Sequence, residues 1–218
     1  MRTRRGSTWD ALAVLKLFDE VNRTNDIDGN TKAQKLTFLL ELLGQKAGIR
    51  SGHLRFSRYK YGPYSWELPE LLNFLENGGF ITRTTRQLTP RGRYVLEYAL
   101  PEVTDGAAAD ALSVTERIAR DYGHRSGENL KKLVYSMRVP VHDRGGELHR
   151  INKLPTGIDI LVPMAEANLI EPADAIPDLL DELAIEFDLP PDAIDPTNPA
   201  VREHARATLV KAIQELTH

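Results

Sequence analysis

Leu68-Pro-Glu-Leu-Leu-Asn-Phe-Leu-Glu-Asn-Gly-Gly-Phe-Ile-Thr-Arg-Thr-Thr-Arg-Gln-Leu-Thr-Pro-Arg-Gly92 is the stretch that decides the fold. Leu68, Leu71, Leu72 and Leu75 fall at i, i+3, i+4 and i+7. That spacing predicts a helix with one apolar face, capped near Ser65 and stopped by Gly78-Gly79. Residues 80–84 then read as a short strand, Thr85-Arg86 as a turn and residues 87–89 as the returning strand. Thr89 stands ready to cap a further helix. Pro90 takes its first position, where a missing N–H costs nothing.

Upstream, Trp9, Leu12, Leu15, Phe18 and Val21 predict a helix over 8–23, capped by Ser7 or Thr8. The polar cluster 25–30 is a turn. Thr31 is then positioned to cap a second helix over 32–47, striped by Leu36, Leu39, Leu40 and Leu43. Residues 54–61 alternate apolar with basic or polar, the pattern of a strand with one wet face, which Gly62-Pro63 should end. Helix, helix, strand, helix, two-stranded ribbon, helix is the order of a winged helix-turn-helix. The expected fold is mainly α with a small β component, with a winged-helix-like domain over 1–104.

Downstream, helices are expected over 107–122 and 126–137. A loop over 139–155 follows, because Pro140, Gly145-Gly146 and Pro155 interrupt any period. Residues 105–156 thus form a helical extension and loop. Residues 157–218 read as an acidic helical region, with helices over 158–170, 173–187 and 199–216. The segments 107–137 and 199–216 are candidate homodimer elements.

Charge divides the 218-residue chain. Residues 1–156 hold 25 Lys and Arg against 18 Asp and Glu, a balance of +7; residues 157–218 hold 3 against 13, a balance of −10. Such asymmetry suggests two different pieces. The acidic part is suited to docking on a basic partner, or to folding back over the basic half as a shield. The chain has no cysteine, which excludes disulfides, thiolate metal sites and cysteine nucleophiles. No apolar run approaches the roughly 20 residues of a membrane span. The basic start runs into an acidic amphipathic segment and not an apolar one, so no signal peptide is read and the expected location is cytoplasmic.

Motifs that carry chemistry are scarce. There is no Gly-rich phosphate loop, no His-Glu-x-x-His and no Gly-x-Ser-x-Gly. No lysine has an acidic residue two positions before it, as many metal-dependent nucleases do. Asp26-x-Asp28-x-Asn30 starts like a calcium loop, but Thr31 and Thr37 stand where Gly and Glu are needed. Ser57-x-x-Lys60 lies on a predicted strand, where residues three apart face opposite ways. His142 and His149, near Asp143 and Glu147, fit no metal-ligand spacing. No catalytic residue, metal or cofactor is assigned, and the chain reads as a binding protein.

The densest local signal is aromatic. Phe56, Tyr59, Tyr61, Tyr64 and Trp66 are five of the 15 aromatic residues and lie within eleven positions, interleaved with Arg55, Arg58 and Lys60. Such surfaces serve as protein hot spots or hold nucleic acids by stacking and phosphate contact. By alternation, Phe56 and Tyr64 should pack inward. The ribbon offers Arg83 and Arg86, and the next turn Arg91 and Arg93; arginines there suit a minor groove or phosphates. Against DNA reading, the third helix presents Glu67, Glu70, Asn73, Glu76 and Asn77 and no Lys or Arg. Carboxylates facing phosphates are repelled.

Thr31-Lys-Ala-Gln-Lys-Leu-Thr-Phe-Leu-Leu and Tyr59-Lys-Tyr-Gly-Pro-Tyr-Ser-Trp-Glu-Leu together resemble the YwgA-like and Panacea (SocA-like) proteins of bacteria, archaea and phages. That pattern joins a Lys-x-Gln-Lys-Leu helix to a Tyr-Gly-Pro turn and a leucine-striped helix. The resemblance covers about residues 9–137, with Leu133-Val-Tyr-Ser-Met where many relatives have a Tyr-rich segment. It implies a non-enzymatic recognition domain, antitoxin- or adaptor-like, in a mobile-element or defence setting. Lys32, Gln34, Lys35, Gly62 and Pro63 occupy the motif positions. The expected partner face is Tyr59, Tyr61, Tyr64, Trp66, Glu67 and Glu70. The alternative is a DNA-binding regulator or DNA-sensing component using Arg55, Arg58, Lys60, Arg83, Arg86, Arg91 and Arg93.

Overall fold

A computed structural model describes residues 3–103, 106–141, 147–161 and 169–188. Two long helices form the centre. Helix α1, Arg4–Asn22, begins four residues earlier than its apolar spacing suggests, because Thr3 caps it by accepting from the Gly6 N–H. Helix α2 is Gly29–Lys46 and starts at Asp28 without a side-chain cap, so Thr31 lies inside it. Both bury residues all round: Trp9, Leu12, Leu15 and Phe18 on α1, and Leu36, Phe38, Leu39 and Leu40 on α2, are at most 1% exposed. Helices sheathed on every side belong to the core of a fold.

The predicted strand 54–61 is a hairpin. Strand β1, Phe56–Tyr59, turns at Lys60-Tyr61 into β2, Gly62–Tyr64, pairing Tyr59 with Gly62 and Ser57 with Tyr64. Gly62-Pro63 therefore opens a strand where a stop was expected. Gly62 sits at φ +95°, a conformation that only glycine adopts without strain. Helix α3, Glu67–Asn77, buries Leu68, Leu71, Leu72 and Leu75 as the stripe requires.

The ribbon is much reduced. Its two arms meet at one isolated bridge, Ile81 to Leu88, flanked by hydrogen bonds from Thr82 N–H to Gln87 C=O and from Thr89 N–H to Phe80 C=O. Thr89 caps α4, Pro90–Ala99, as expected. Gly92 in the first turn of α4 packs so tightly that a Cβ there would fall almost on the Phe80 carbonyl.

Helix α5, Gly106–Ile118, continues through a π-turn at Ala119–Gly123, and Ser126 caps α6, Gly127–Ser136. These helices of the 107–137 segment pack on α1 and α2 within the chain. The expected loop 139–155 instead carries β3, Arg138–Pro140, paired with β4, Leu148–Arg150, and a 3-10 turn at Ile151–Lys153.

The expected helix 158–170 is corrected at both ends, its middle, 162–168, lying outside the described residues. Strand β5, Asp159–Ile160, pairs antiparallel with β1, giving a sheet of order β2-β1-β5. Ile170 bridges Ile49 in parallel. Buried Ile160, pressed on the hairpin, outweighs the weak helical period there. The 173–187 stripe folds as two helices, α7, Pro172–Ala175, and α8, Pro177–Glu186, broken at Ile176 and Pro177. The expected helix 199–216 lies outside the described residues. The described parts of segments 1–104, 105–156 and 157–218 share one apolar core that runs from Trp9 to Phe187. No described helix is long and apolar enough to cross a membrane.

Candidate recognition face

The motif on α2 shapes this face from beneath. Gln34 and Lys35, both 3% exposed or less, reach the outer edge of the hairpin. The Gln34 amide donates to Ser65 C=O at 2.8 Å and accepts from Ser65 N–H at 2.9 Å. Lys35 Nζ donates to Pro63 C=O at 2.6 Å, while Pro63 has no N–H to offer. Side chains of a helix thus occupy the positions that a neighbouring strand would take, and the edge is closed to further strand pairing. Lys32 makes the corresponding contact at the start of α2, donating to Asp26 C=O at 2.7 Å. Gln34 and Lys35 therefore hold the end of the hairpin, while Lys32 fastens the chain before α2; all three are buried.

Burial pushes the Lys35 ammonium down to about 8, helped by the nearby cations Lys131 and Arg58. Burial also lowers Lys32, against the pull of Asp28 and Asp26.

Above this layer the aromatic residues divide. Phe56 packs inward, edge-to-face on Phe38 at 5.4 Å, as alternation requires. Tyr64, expected to follow it, is half-buried and turns outward to Trp66. Tyr59, Tyr64 and Trp66 form a closed trio, with ring centroids 4.7–5.6 Å apart and planes inclined by 47–69°. Trp66 is 60% exposed, Tyr61 54% and Tyr59 41%. Exposed large aromatic rings in one place mark an interaction surface.

Tyr61 lies at the hairpin tip between two ammonium groups, Lys60 at 5.4 Å and Lys131 at 5.3 Å from its centroid. Lys131 and its neighbours come from α6, which sequence reasoning left out of the site. Tyr135 donates its hydroxyl to Lys60 C=O at 2.6 Å and lies under the Arg58 guanidinium. The only sequence signal for this contribution is the tyrosine in Leu133-Val-Tyr-Ser-Met. Glu128 pairs with Lys131 at 2.7 Å, which raises the Lys131 ammonium and lowers the Glu128 carboxyl.

The remaining expected residues separate into outward and inward groups. Arg55 is exposed and pairs with Glu67, which accepts from the Arg55 backbone at 2.8 Å and its Nε at 3.1 Å. Glu70 is exposed beside it on α3. Arg58 is half-buried, its Nε on Ile151 C=O at 3.1 Å. Arg83 and Arg93 are exposed. Arg86 turns inward: it is 6% exposed, at φ 52°, with its guanidinium on Ile27 C=O and Asn30 Oδ1. Arg91 donates to Gly78 C=O and Glu186 C=O and lies 4.3 Å over Phe80. Two of the four expected wing arginines are therefore occupied within the fold.

The acidic segment takes up more of the basic half. Arg5 grips Asp181 with two hydrogen bonds, of 2.9 and 2.6 Å, which hold that carboxyl below its usual range. Tyr98 donates to Glu182 at 2.5 Å. Arg50 pairs with Glu171 at 2.7 Å. His53 lies between Asp10, 3.0 Å from Nδ1, and Glu171, 3.1 Å from Nε2. Burial opposes ionisation of Glu171, but His53 and Arg50 outweigh it and lower its carboxyl. Residues 171–182 of the acidic region thus lie back on the basic half, while 189–218 fall outside the described residues. With both ring nitrogens on carboxylates, His53 acts as a clamp between α1 and the chain before α7.

Among the described residues no three His, Asp or Glu side chains are grouped to hold a metal. His149 lies 3.5 Å from Glu147; His142 and Asp143 fall outside the described residues.

Comparison with protein-family models, curated proteins and solved structures gave no match.

Proposed function

We propose that this chain is a non-enzymatic recognition or regulatory module, antitoxin- or adaptor-like, that binds a partner protein through the face around Tyr59, Tyr61, Tyr64 and Trp66. The observation that carries this reading is the aromatic trio, with Tyr59 and Trp66 exposed and Tyr64 half-buried between them, at a hairpin whose edge is sealed from below. A rigid, amphipathic aromatic cluster offers contact area with little side-chain entropy left to lose, as hot spots do. The sealed edge leaves side chains, and not backbone pairing, to make the contact.

The order α1, α2, β1–β2, α3, ribbon and α4 supports a winged-helix-like arrangement with a minimal wing. The YwgA-like and Panacea resemblance supports a mobile-element or defence setting and a cytoplasmic location; of its motif residues, Gln34 and Lys35 hold the chain at the Tyr-Gly-Pro turn. The DNA reading retains the exposed Arg55, Lys60, Arg83 and Arg93. It is weakened by the inward Arg86 and Arg91 and by Glu67, Glu70 and Glu76 on α3, where carboxylates would meet phosphates.

The test is capture of partner proteins by the full chain and by a Tyr59→Ala/Trp66→Ala variant. Loss of the captured protein from a folded variant is expected. Equal capture would refute the reading.

A further inference from the structure

Four cations gather at the tip of the hairpin. Lys60 and Lys131 flank Tyr61, Arg58 lies over Tyr135, and Lys35 lies under Gly62. The only carboxylate bonded to any of them is Glu128, on Lys131, among the described residues. The charges that act most strongly on Lys35 are themselves cations, Lys131 and Arg58. This positive corner adjoins the apolar trio directly, because Tyr59 and Gly62 pair across the two-residue turn that carries Lys60 and Tyr61. A ligand covering both would place negative charge at the tip and an apolar group one strand pair away.

We propose that the face recognises an acidic protein segment, with Asp, Glu or phosphorylated side chains held by Lys60 and Lys131 around Tyr61, and a neighbouring apolar side chain seated on Tyr59 and Trp66. This inference rests on the protein-partner reading and specifies its chemistry. Charge complementarity selects an anionic occupant. Ring geometry selects a peptide over a nucleic acid. Trp66 meets Tyr59 and Tyr64 edge-on and the two tyrosines are tilted by 47°, so no two of the rings are parallel and they form no platform on which successive bases stack. Glu67, at the start of α3 beside Trp66, and Glu70 after it would face a phosphate chain running past the trio. A short acidic segment can place its anionic side chains at Lys60 and Lys131 and only an uncharged side chain beside Trp66 and Glu67. With Pro63 and Ser65 sealed by Lys35 and Gln34, the segment cannot add a strand at that edge, so its side chains determine specificity.

The experiment is selection of a displayed random dodecapeptide library on the full chain, with the enriched pool sequenced. The expected pool carries net negative charge and at least one aromatic or large aliphatic residue. A synthetic peptide from it should bind a Lys60→Glu/Lys131→Glu variant at least about tenfold more weakly, about 1.4 kcal/mol. Lys60→Gln/Lys131→Gln should give a smaller loss, and all variants should melt like the parent, since these side chains reach solvent. A neutral or basic pool that loses binding on Trp66→Ala but not on the lysine variants would overturn the acidic specificity and leave protein recognition standing. An absence of enrichment would refute both. Tighter binding of an oligothymidine dodecamer than of the selected peptide would assign the face to nucleic acid instead.

Discussion

Gln34 and Ser65 hydrogen-bond each other twice, amide to backbone, as two paired strands would. The glutamine comes from the second turn of α2 and the serine from the end of the hairpin, 31 positions away, and the pair is buried. Replacing Gln34 by leucine keeps the volume and leaves both Ser65 backbone groups without partners. A loss of about 2–4 kcal/mol in urea unfolding is expected, from about 1–3 for each unsatisfied group. A change under about 0.5 kcal/mol, the range of neutral surface substitutions, would mean that the pair is dispensable.

Lys35 gives this layer a pH signature. Its folded-state value is pushed down to about 8. Between there and the ordinary lysine value near 10.4, the unfolded chain binds more protons than the folded one, so stability rises with pH in that window. Below about 8 both states are protonated and the burial penalty is fully present. Lys35→Met should remove this gain of about 3 kcal/mol, as the difference between the two proteins' unfolding free energies at pH 7.5 and pH 10.5. Parallel curves would contradict the assignment.

The acidic segment is held mainly by apolar contact. Phe187 is buried against Phe80 at 5.0 Å and Phe74 at 6.4 Å, whereas the Arg5–Asp181 pair lies in solvent, each side chain about half exposed. Phe187→Ala should cost about 3–5 kcal/mol as a buried aromatic truncation. Arg5→Ala should leave the melting temperature near that of the parent, since exposed pairs contribute little. The reverse order would show that charge, and not packing, folds the segment back.

Arg86 and Arg83 separate fold from surface within one turn. Arg86→Ala strips partners from Ile27 C=O and Asn30 and should destabilise the protein by about 1–3 kcal/mol. Arg83→Ala should fall within about 0.5 kcal/mol. Any binding of duplex DNA at low salt should depend on Arg83 and Arg93.

Helix-forming parts of the fold were legible because the leucine stripes of α2 and α3 and the Thr89-Pro90 start of α4 are local signals. The hairpin was not, since Gly62-Pro63 looks like a stop until Gln34 and Lys35 arrive from α2 to satisfy its edge. Strands β3, β4 and β5 are two or three residues long and exist only through pairing with distant partners, so no local period announces them. At the site, the aromatic cluster was readable from composition alone. Which arginines faced outward was not: Arg83 and Arg86 are alike in sequence, and only the left-handed backbone at Arg86 turns it into the core. Lys131 and Tyr135 join from α6, some seventy positions away from the residues they meet, and only a helix packing on α2 brings them there.

The most direct measurement is parallel affinity capture by the parent chain, Tyr59→Ala/Trp66→Ala and Arg83→Ala/Arg93→Ala, with all three confirmed folded by circular dichroism. The account expects one protein held by the parent and the arginine variant and lost from the aromatic variant. The same protein held equally by all three, or lost only from the arginine variant, would contradict it.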